Sequence, residues 1–180
     1  MKEVVFGGRR FVLSVDKNEI AQAVSHVAAE LNADYKDREP LFLVVLNGAF
    51  MFASDLLKKV NLRCTVSFVK LSSYSGMAST QNVRELIGLN EDLAGKDVIV
   101  VEDIVDTGLT MHGMIATLKE KGAASVEVCS FVHKPEALKY EDARPKYIGM
   151  NIPNRFIIGY GLDLDGLARN LPEIYELAKD

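Results

Sequence analysis

The chain has 180 residues, a usual length for one domain, and its 48% hydrophobic and 26% charged residues exclude collagen-like, coiled-coil and disordered proteins. Its 21 Lys and Arg residues against 25 Asp and Glu residues give a net charge of −4. An acidic chain of this kind is not expected to bind a nucleic-acid backbone, which requires a basic surface.

Five short apolar runs predict strands. They comprise residues 41–46, 64–69, 98–101, 126–132 and 155–160. Runs of Val, Ile and Leu without polar alternation are typical of strands buried on both faces, as in a parallel sheet covered by helices. Helical segments alternate with these runs, so the pattern predicts an α/β protein.

Three helices are predicted along the chain. Asp16 and Glu19 have the spacing of a capping box, and apolar residues then recur at helical spacing as far as Leu31. A second helix is predicted over 50–59. A third is predicted around 111–118, with Gly122 in the usual position just past its end.

The apolar pattern is interrupted between Leu71 and Asp97. Hydroxyl residues and glycine are enriched there, and a short ribbon is predicted over 83–88. Loops of this length in a compact domain are often active-site lids, so we expect a flexible lid. The sequence shows no internal repeat and no interdomain linker, which predicts a single domain over residues 1–180.

The sequence also predicts a cytoplasmic protein that does not contact a membrane. No apolar stretch reaches the ~18 residues that suggest a membrane span, and residues 1–10 lack a signal-peptide core. Cys64 and Cys129 lie in apolar runs without metal-binding or redox spacing. We therefore expect buried free thiols in a reducing compartment.

Three carboxylates lie within five residues at the end of one apolar run. Glu102, Asp103 and Asp106 are followed by a Thr-Gly-Leu-Thr turn that leads into the third helix. Ligands bind at the carboxyl ends of strands in open α/β sheets, and a helix N-terminus binds phosphate. A sugar phosphate with a divalent cation would relieve the repulsion between these acids. The alternative is an ordinary N-cap at Asp106 and solvated loop charges at the other two positions.

The segment 102–110, Glu-Asp-Ile-Val-Asp-Thr-Gly-Leu-Thr, resembles the phosphoribosyl pyrophosphate (PRPP) signature of type I phosphoribosyltransferases, in particular their hypoxanthine-guanine branch. Segments 46–50, 131–135 and 156–163 agree with this family in order and spacing, and the resemblance covers about residues 5 to 175. It implies a mostly parallel central sheet flanked by helices and a flexible active-site loop. It further implies a core at about 15–150 and a small hood formed by the N-terminal segment and about 151–180.

The resemblance implies roles for the residues around the carboxylates. Glu102 and Asp103 would accept hydrogen bonds from the ribose hydroxyls while positive charge develops at the anomeric carbon. Asp106 would be the catalytic base toward N7 of the purine. The 5-phosphate would be bound by Thr107, Gly108 and Thr110.

Three further groups of residues follow from the same resemblance. Lys134 would donate to the 6-oxo group, with Phe156, Ile157 and Leu162 binding the rest of the purine. Pyrophosphate would be bound by Asn47, Gly48, Arg169 and the lid residues Ser73 and Tyr74. Magnesium would be held by Asp163 together with Glu102 and Asp103, since it prefers oxygen ligands.

The sequence departs from the family pattern at two positions. Asn47 stands where the family often carries a basic residue, and we expect that loop to act through backbone amides and to contain a cis peptide at Leu46–Asn47. Gln81 stands where Ser-Thr-Gly would be more familiar, which blurs the lid alignment. His26, His112 and His133 have no metal spacing, and a structural role is expected for each.

The function implied is magnesium-dependent transfer of the 5-phosphoribosyl group from PRPP to N9 of hypoxanthine or guanine. The products would be IMP or GMP and pyrophosphate, and the partners PRPP and a 6-oxopurine, with no nucleic acid and with assembly as a homodimer or homotetramer. One alternative is a PRPP-sensing regulator that binds nucleic acid on the same fold, which the acidic charge disfavours. Another is an aspartic protease, since Asp106-Thr107-Gly108 matches the signature of that all-β class.

Overall fold

A computed structural model of the chain describes residues 2–73 and 84–178. Its helices are α1 (Lys17–Asp34), α2 (Phe50–Leu57) and α3 (Leu109–Glu120). Its strands are β1 (Glu3–Phe6), β2 (Arg9–Val15), β3 (Leu41–Leu46), β4 (Thr65–Ser73), β5 (Arg84–Ile87), β6 (Asp97–Val105), β7 (Ser125–His133), β8 (Tyr147–Asn151), β9 (Ile157–Ile158) and β10 (Ile174–Leu177). Tyr74 and Gln81 lie outside the described residues.

Within the described residues, the larger sheet has six strands in the order β5-β4-β3-β6-β7-β8. β4, β3, β6, β7 and β8 are parallel, and β5 pairs antiparallel with β4 at one edge. From β3 the chain continues to β4, toward one edge of the sheet, and from β6 it continues to β7, toward the other edge. The carboxyl ends of β3 and β6 therefore form a topological switch point, where open α/β sheets bind ligands.

The sheet is covered on both faces, as the unbroken apolar runs predict. Phe42 and Val44 of β3 pack on one side with α1 and α2, while Leu41 and Leu43 pack on the other side with α3. This alternation is the two-residue period of a strand. Helices on both faces confirm the expected α/β class and exclude an all-β protease.

The predicted helix signals are confirmed. The Asp16 side chain accepts hydrogen bonds from the backbone N–H groups of Asn18 and Glu19, and the Glu19 side chain accepts one from the Asp16 N–H at 2.8 Å. Gly122, just past α3, has φ +89°, which favours glycine. α2 ends at Leu57, two residues before the predicted end. Among the described residues, none of the helices has the length and hydropathy needed to cross a bilayer.

The strand predicted over residues 155–160 exists, but its length and its place in the parallel sheet were wrong. Only Ile157–Ile158 form a strand there, and this strand lies in a separate antiparallel sheet of order β1-β2-β10-β9. The fifth parallel strand is β8, which the sequence pattern missed because Gly149 and Asn151 interrupt its apolar residues. The four-stranded sheet has its own small core, which includes Phe11, Ile158 and Tyr175.

Candidate active site

The loop after β3 lies directly beside the end of β6. The Leu46–Asn47 peptide is cis, which confirms the sequence prediction. Gly48 follows, and a Cβ atom added to it would lie 1.7 Å from Oδ2 of Asp103. Only a residue without a side chain fits at position 48 while Asp103 keeps this position. Asn47 is exposed beside it.

A second glycine brings the four-stranded sheet to the same point. Gly161 has φ +99°, and an added Cβ would lie 2.0 Å from the carbonyl oxygen of Gly48. The backbone of the segment after β9 therefore lies directly against the backbone of the loop after β3. Gly161 lies within the segment that resembles the family, but its contact with Gly48 could not be foreseen from the sequence.

Glu102 and Asp103 lie within β6, where the strand approaches this loop. Glu102 is 8% exposed, and its Oε1 accepts a hydrogen bond from the backbone N–H of Asp103 at 3.0 Å. Burial, followed by repulsion from Asp103, raises the pKa of Glu102 well above its ordinary value. Burial also raises the pKa of Asp103, although Arg169 opposes that shift. Glu102 is thus not a solvated loop charge.

The turn after β6 opens toward solvent at the start of α3. The N-cap of α3 is Gly108, with φ +81°, so the interpretation of Asp106 as the N-cap was wrong. The backbone N–H of Leu109 donates to Oγ1 of Thr107 at 3.4 Å, and Thr110 lies in the first helical turn. Residues 102–111 line a cavity of about 250 Å³. The amides of this helix N-terminus and the neighbouring hydroxyls can bind a phosphate group.

Lys134 joins the site from the neighbouring strand. It directly follows β7, is 7% exposed, and its Nζ lies 3.8 Å from Oδ2 of Asp106. Its backbone N–H donates to the carbonyl of Val105 at 3.0 Å, which ties Lys134 to the end of β6. A buried ammonium group beside a half-exposed carboxylate can donate and accept hydrogen bonds along one edge of a ligand.

The predicted purine-binding residues occupy different environments. The Phe156 side chain is 43% exposed, and its ring centroid lies 6.2 Å from that of Phe11. Ile157 and Leu162 are buried, and Leu162 bridges back to Gly159. Periodicity alone assigns Phe156 to the core, whereas its exposure leaves part of the ring free to contact a ligand.

Asp163 and Arg169 form a pair that the sequence analysis did not predict. Nη2 of Arg169 lies 2.7 Å from Oδ1 of Asp163, and its Nη1 donates to the carbonyl of Gly161 at 2.6 Å. The backbone N–H of Gly166 donates to Oδ2 of Asp163. These contacts hold both charged side chains against the Gly161 segment. No local sequence signal indicates the pairing.

Two further predictions concern the lid residues Ser73 and Tyr74 and the magnesium site. Ser73 ends β4, where its backbone pairs with Arg84, and its expected partner Tyr74 lies outside the described ranges. Within residues 2–73 and 84–178 no group of three or more His, Cys, Asp and Glu side chains is arranged to hold a metal. The nearby carboxylates are hard oxygen donors, which fit magnesium bound by one or two carboxylates plus substrate phosphates.

Comparisons with known proteins agree with this geometry. Residues 14–165 match the family described as "Phosphoribosyl transferase domain". The hypoxanthine-guanine-xanthine phosphoribosyltransferase of Tritrichomonas foetus is 39% identical over 159 residues, which cover 88% of this chain and 87% of that protein. The hypoxanthine-guanine phosphoribosyltransferase of Aquifex aeolicus is 36% identical over 177 residues, covering 97% and 98%. A crystal structure of a hypoxanthine-guanine phosphoribosyltransferase from Bacillus anthracis superposes with a TM-score of 0.84 at 32% identity, covering 92% of this chain and 98% of that one.

The contact at Gly48 makes a structural prediction. Gly48→Ala must displace the Asp103 carboxylate, since the new methyl group would lie 1.7 Å from it. We expect the free energy of unfolding to fall by about 1–3 kcal/mol, as for other overpacking substitutions, and a crystal structure of the variant to show Asp103 moved.

Gly113→Ala is the matched control. It adds the same methyl group on α3, where nothing lies within 4 Å. Because Ala is the better helix former, we expect it to raise the free energy of unfolding by up to about 1 kcal/mol. Equal stability of the two variants in urea unfolding would contradict the contact.

Proposed function

Since the chain belongs to the phosphoribosyltransferase family, we propose that its switch-point site carries out one step of purine salvage. The enzyme transfers the 5-phosphoribosyl group of PRPP to N9 of hypoxanthine or guanine and releases pyrophosphate. The observation that carries this assignment is the pair of Lys134 and Asp106, whose charged groups lie 3.8 Å apart. Asp106 immediately precedes the proposed phosphate-binding turn in the chain. This arrangement supports a purine-binding edge next to a sugar-phosphate site.

The carboxylates of β6 hold the ribose. Glu102 and Asp103 accept hydrogen bonds from its hydroxyl groups and present negative charge near the anomeric carbon, where positive charge develops as the pyrophosphate leaves. Their burial strengthens this interaction, since charges interact more strongly away from water. Hydroxyl donors and a cation favour the ionised carboxylates against the shift that burial causes.

The turn at the start of α3 anchors the other end of the sugar. The backbone amides of residues 107–110, with the hydroxyl groups of Thr107 and Thr110, bind the 5-phosphate. Gly108 is required there because φ +81° is unfavourable for other residues. A fixed phosphate and fixed hydroxyl groups together orient the anomeric carbon toward the purine.

Asp106 and Lys134 act on the same edge of the base. N7 and the 6-oxo group are neighbouring positions on one purine edge. Asp106 removes the N7 proton, which makes N9 more nucleophilic, while Lys134 donates to the 6-oxo oxygen as it gains charge. Their separation of 3.8 Å suits two adjacent contacts. Phe156 stacks on the base, and Ile157 and Leu162 complete its surroundings.

Pyrophosphate is bound on the opposite side of the ribose. The backbone at Asn47 and Gly48 supplies amides, and Arg169 supplies positive charge. The family resemblance also assigns Ser73 and Tyr74 to pyrophosphate binding. Asp163, together with Glu102 and Asp103, would hold magnesium, which would supply positive charge to neutralise the pyrophosphate when bound. Arg169 and Asp163 neutralise each other until then.

Assembly as a homodimer or homotetramer follows from the same family resemblance. Val66 and Phe68 expose 41% and 51% of their surface on β4 and provide apolar area for contact between copies. We propose that this assembly acts in the cytoplasm.

An activity panel tests the proposed function. With PRPP and magnesium, we expect the purified protein to form nucleotides from hypoxanthine and guanine but not from adenine, which lacks the 6-oxo acceptor for Lys134. Xanthine in the same panel measures tolerance at the 2-position. Chelation of magnesium should stop the reaction. Failure to form a nucleotide from any 6-oxopurine would refute the proposal.

Replacement of Asp106 tests the base. We expect Asp106→Asn to lower kcat by about 100-fold or more, the scale of general acid–base catalysis, and to change the KM for PRPP much less. A comparable loss in both constants, measured in initial-rate assays, would instead make Asp106 a binding residue.

Replacement of Phe156 tests base stacking. Phe156→Ala should raise the KM for hypoxanthine about 10-fold, since stacking on an aromatic ring contributes roughly 1–3 kcal/mol per base, with little change in the KM for PRPP. Phe156→Tyr keeps the ring and serves as the control, with a KM near that of the unaltered protein. An equal rise in both variants would argue against stacking.

A further inference from the structure

The proposed phosphate turn depends on support from outside itself. Its N-cap, Gly108, is in the left-handed region and has no side chain with which to cap the helix. A cradle built from backbone amides keeps its shape only if the backbone is held in place. The connection between β7 and β8 contacts the turn, although its residues 138–143 take no part in the proposed catalysis.

That connection packs directly on the turn. The backbone N–H of Lys139 donates to the carbonyl of Thr107 at 2.9 Å. A Cβ atom at Gly108 would lie 3.0 Å from both Cδ1 of Leu138 and Cβ of Ala143. Residues 138–143, which we call the brace, therefore fix one carbonyl of the turn and leave no space beside its glycine.

A histidine and an aspartate join the brace to α3. Nδ1 of His112 lies 2.7 Å from Oδ2 of Asp142, and it donates the hydrogen bond because a carboxylate only accepts. The His112 ring packs on the Tyr140 ring, with centroids 4.7 Å apart. The backbone N–H of His112 donates to the carbonyl of Gly108 at 2.9 Å. His112 therefore contacts the brace through its side chain and the turn through its backbone.

The brace has internal support of its own. Asp142 lies in a single 3-10 turn, Glu141–Ala143. Arg144 forms a bidentate ion pair with Glu141, with N–O distances of 2.9–3.0 Å. The aspartate is thereby presented to His112 on a folded segment. Lys134 is held separately, through its backbone bonds to Val105 and Ala137.

We propose that His112 and Asp142 are positioning residues for the 5-phosphate site. Their pair fastens the brace to α3, and the brace holds the Thr107–Gly108 backbone in the conformation that binds phosphate. This inference rests on the proposed function, since it assigns the turn to the 5-phosphate. Both side chains are about half exposed, so their pair contributes little to overall stability.

The test compares phosphate binding with folding in the full-length protein. The variants are His112→Ala, Asp142→Ala, their combination, and Asp142→Asn, whose amide oxygen can still accept from Nδ1. Calorimetry measures the affinity for ribose 5-phosphate, which carries the 5-phosphate without purine or pyrophosphate. Initial rates give kcat and both KM values, and thermal unfolding gives Tm.

We expect each alanine variant to weaken ribose 5-phosphate binding and to raise the KM for PRPP by about 5-fold. The values of kcat, KM for hypoxanthine and Tm should stay close to those of the unaltered protein, because Lys134 is anchored independently. The double variant should bind ribose 5-phosphate with the same affinity as the single variant that binds it less tightly, since the two residues act as one unit. Asp142→Asn should restore binding to within about 2-fold, because a neutral hydrogen bond replaces the charged one.

His26→Ala is the matched control, because His26 also pairs with a carboxylate, Glu30, at 3.7 Å on the surface of α1. Unchanged phosphate affinity in both alanine variants would overturn the proposal, as would additive losses or an equal loss in the control. A lower Tm with unchanged phosphate affinity would reduce the pair to a structural contact. If the unaltered protein binds ribose 5-phosphate but forms no nucleotide, the proposed function fails while the brace is still tested.

Discussion

The site depends on the close approach of three backbone segments at the switch point of the large sheet. The loop after β3 meets β6 at Gly48 and Asp103, and it meets the segment after β9 at Gly161. A Cβ atom at Gly48 would displace the Asp103 carboxylate, and one at Gly161 would push its segment away from the loop after β3. This contact also joins the two sheets, since Gly48 follows a strand of the larger and Gly161 a strand of the smaller. The position of the Asp103 carboxylate thus depends on the absence of a Cβ atom at Gly48, and the contact between the two sheets depends on its absence at Gly161.

Burial at this point determines the electrostatics. Burial raises the pKa values of Glu102 and Asp103. Nearby charges are arranged in pairs, Lys134 with Asp106 and Arg169 with Asp163. A ligand with hydroxyl donors, phosphate groups and a bound metal can take the place of one partner in each pair. The net charge of −4 says little by comparison, because its meaning depends on where the acidic residues lie.

The fold could be predicted where a local sequence pattern, such as an apolar run or a capping box, corresponds to a single element. The run 41–46 coincides with β3, and the capping box at Asp16 begins α1. The prediction failed where burial came from another source. Ile158 packs in the core of the smaller sheet, whereas Ile157 and Tyr160 pack in a core of the larger sheet. β8 is a strand although Gly149 interrupts its apolar pattern. Local hydrophobicity does not reveal which sheet a strand joins.

The sequence by itself determined the α/β class, the capped start of α1 and the segment 102–110 that carries the family resemblance. Each of these depends on residues within a few positions of one another, so a linear pattern contains the necessary physics. Only the tertiary structure decided which distant groups meet: Gly48 with Gly161, Lys134 with Asp106, and His112 with Asp142, which lie 30 residues apart. Such contacts depend on how whole elements pack, because short-range propensities do not determine the relative placement of strands and helices.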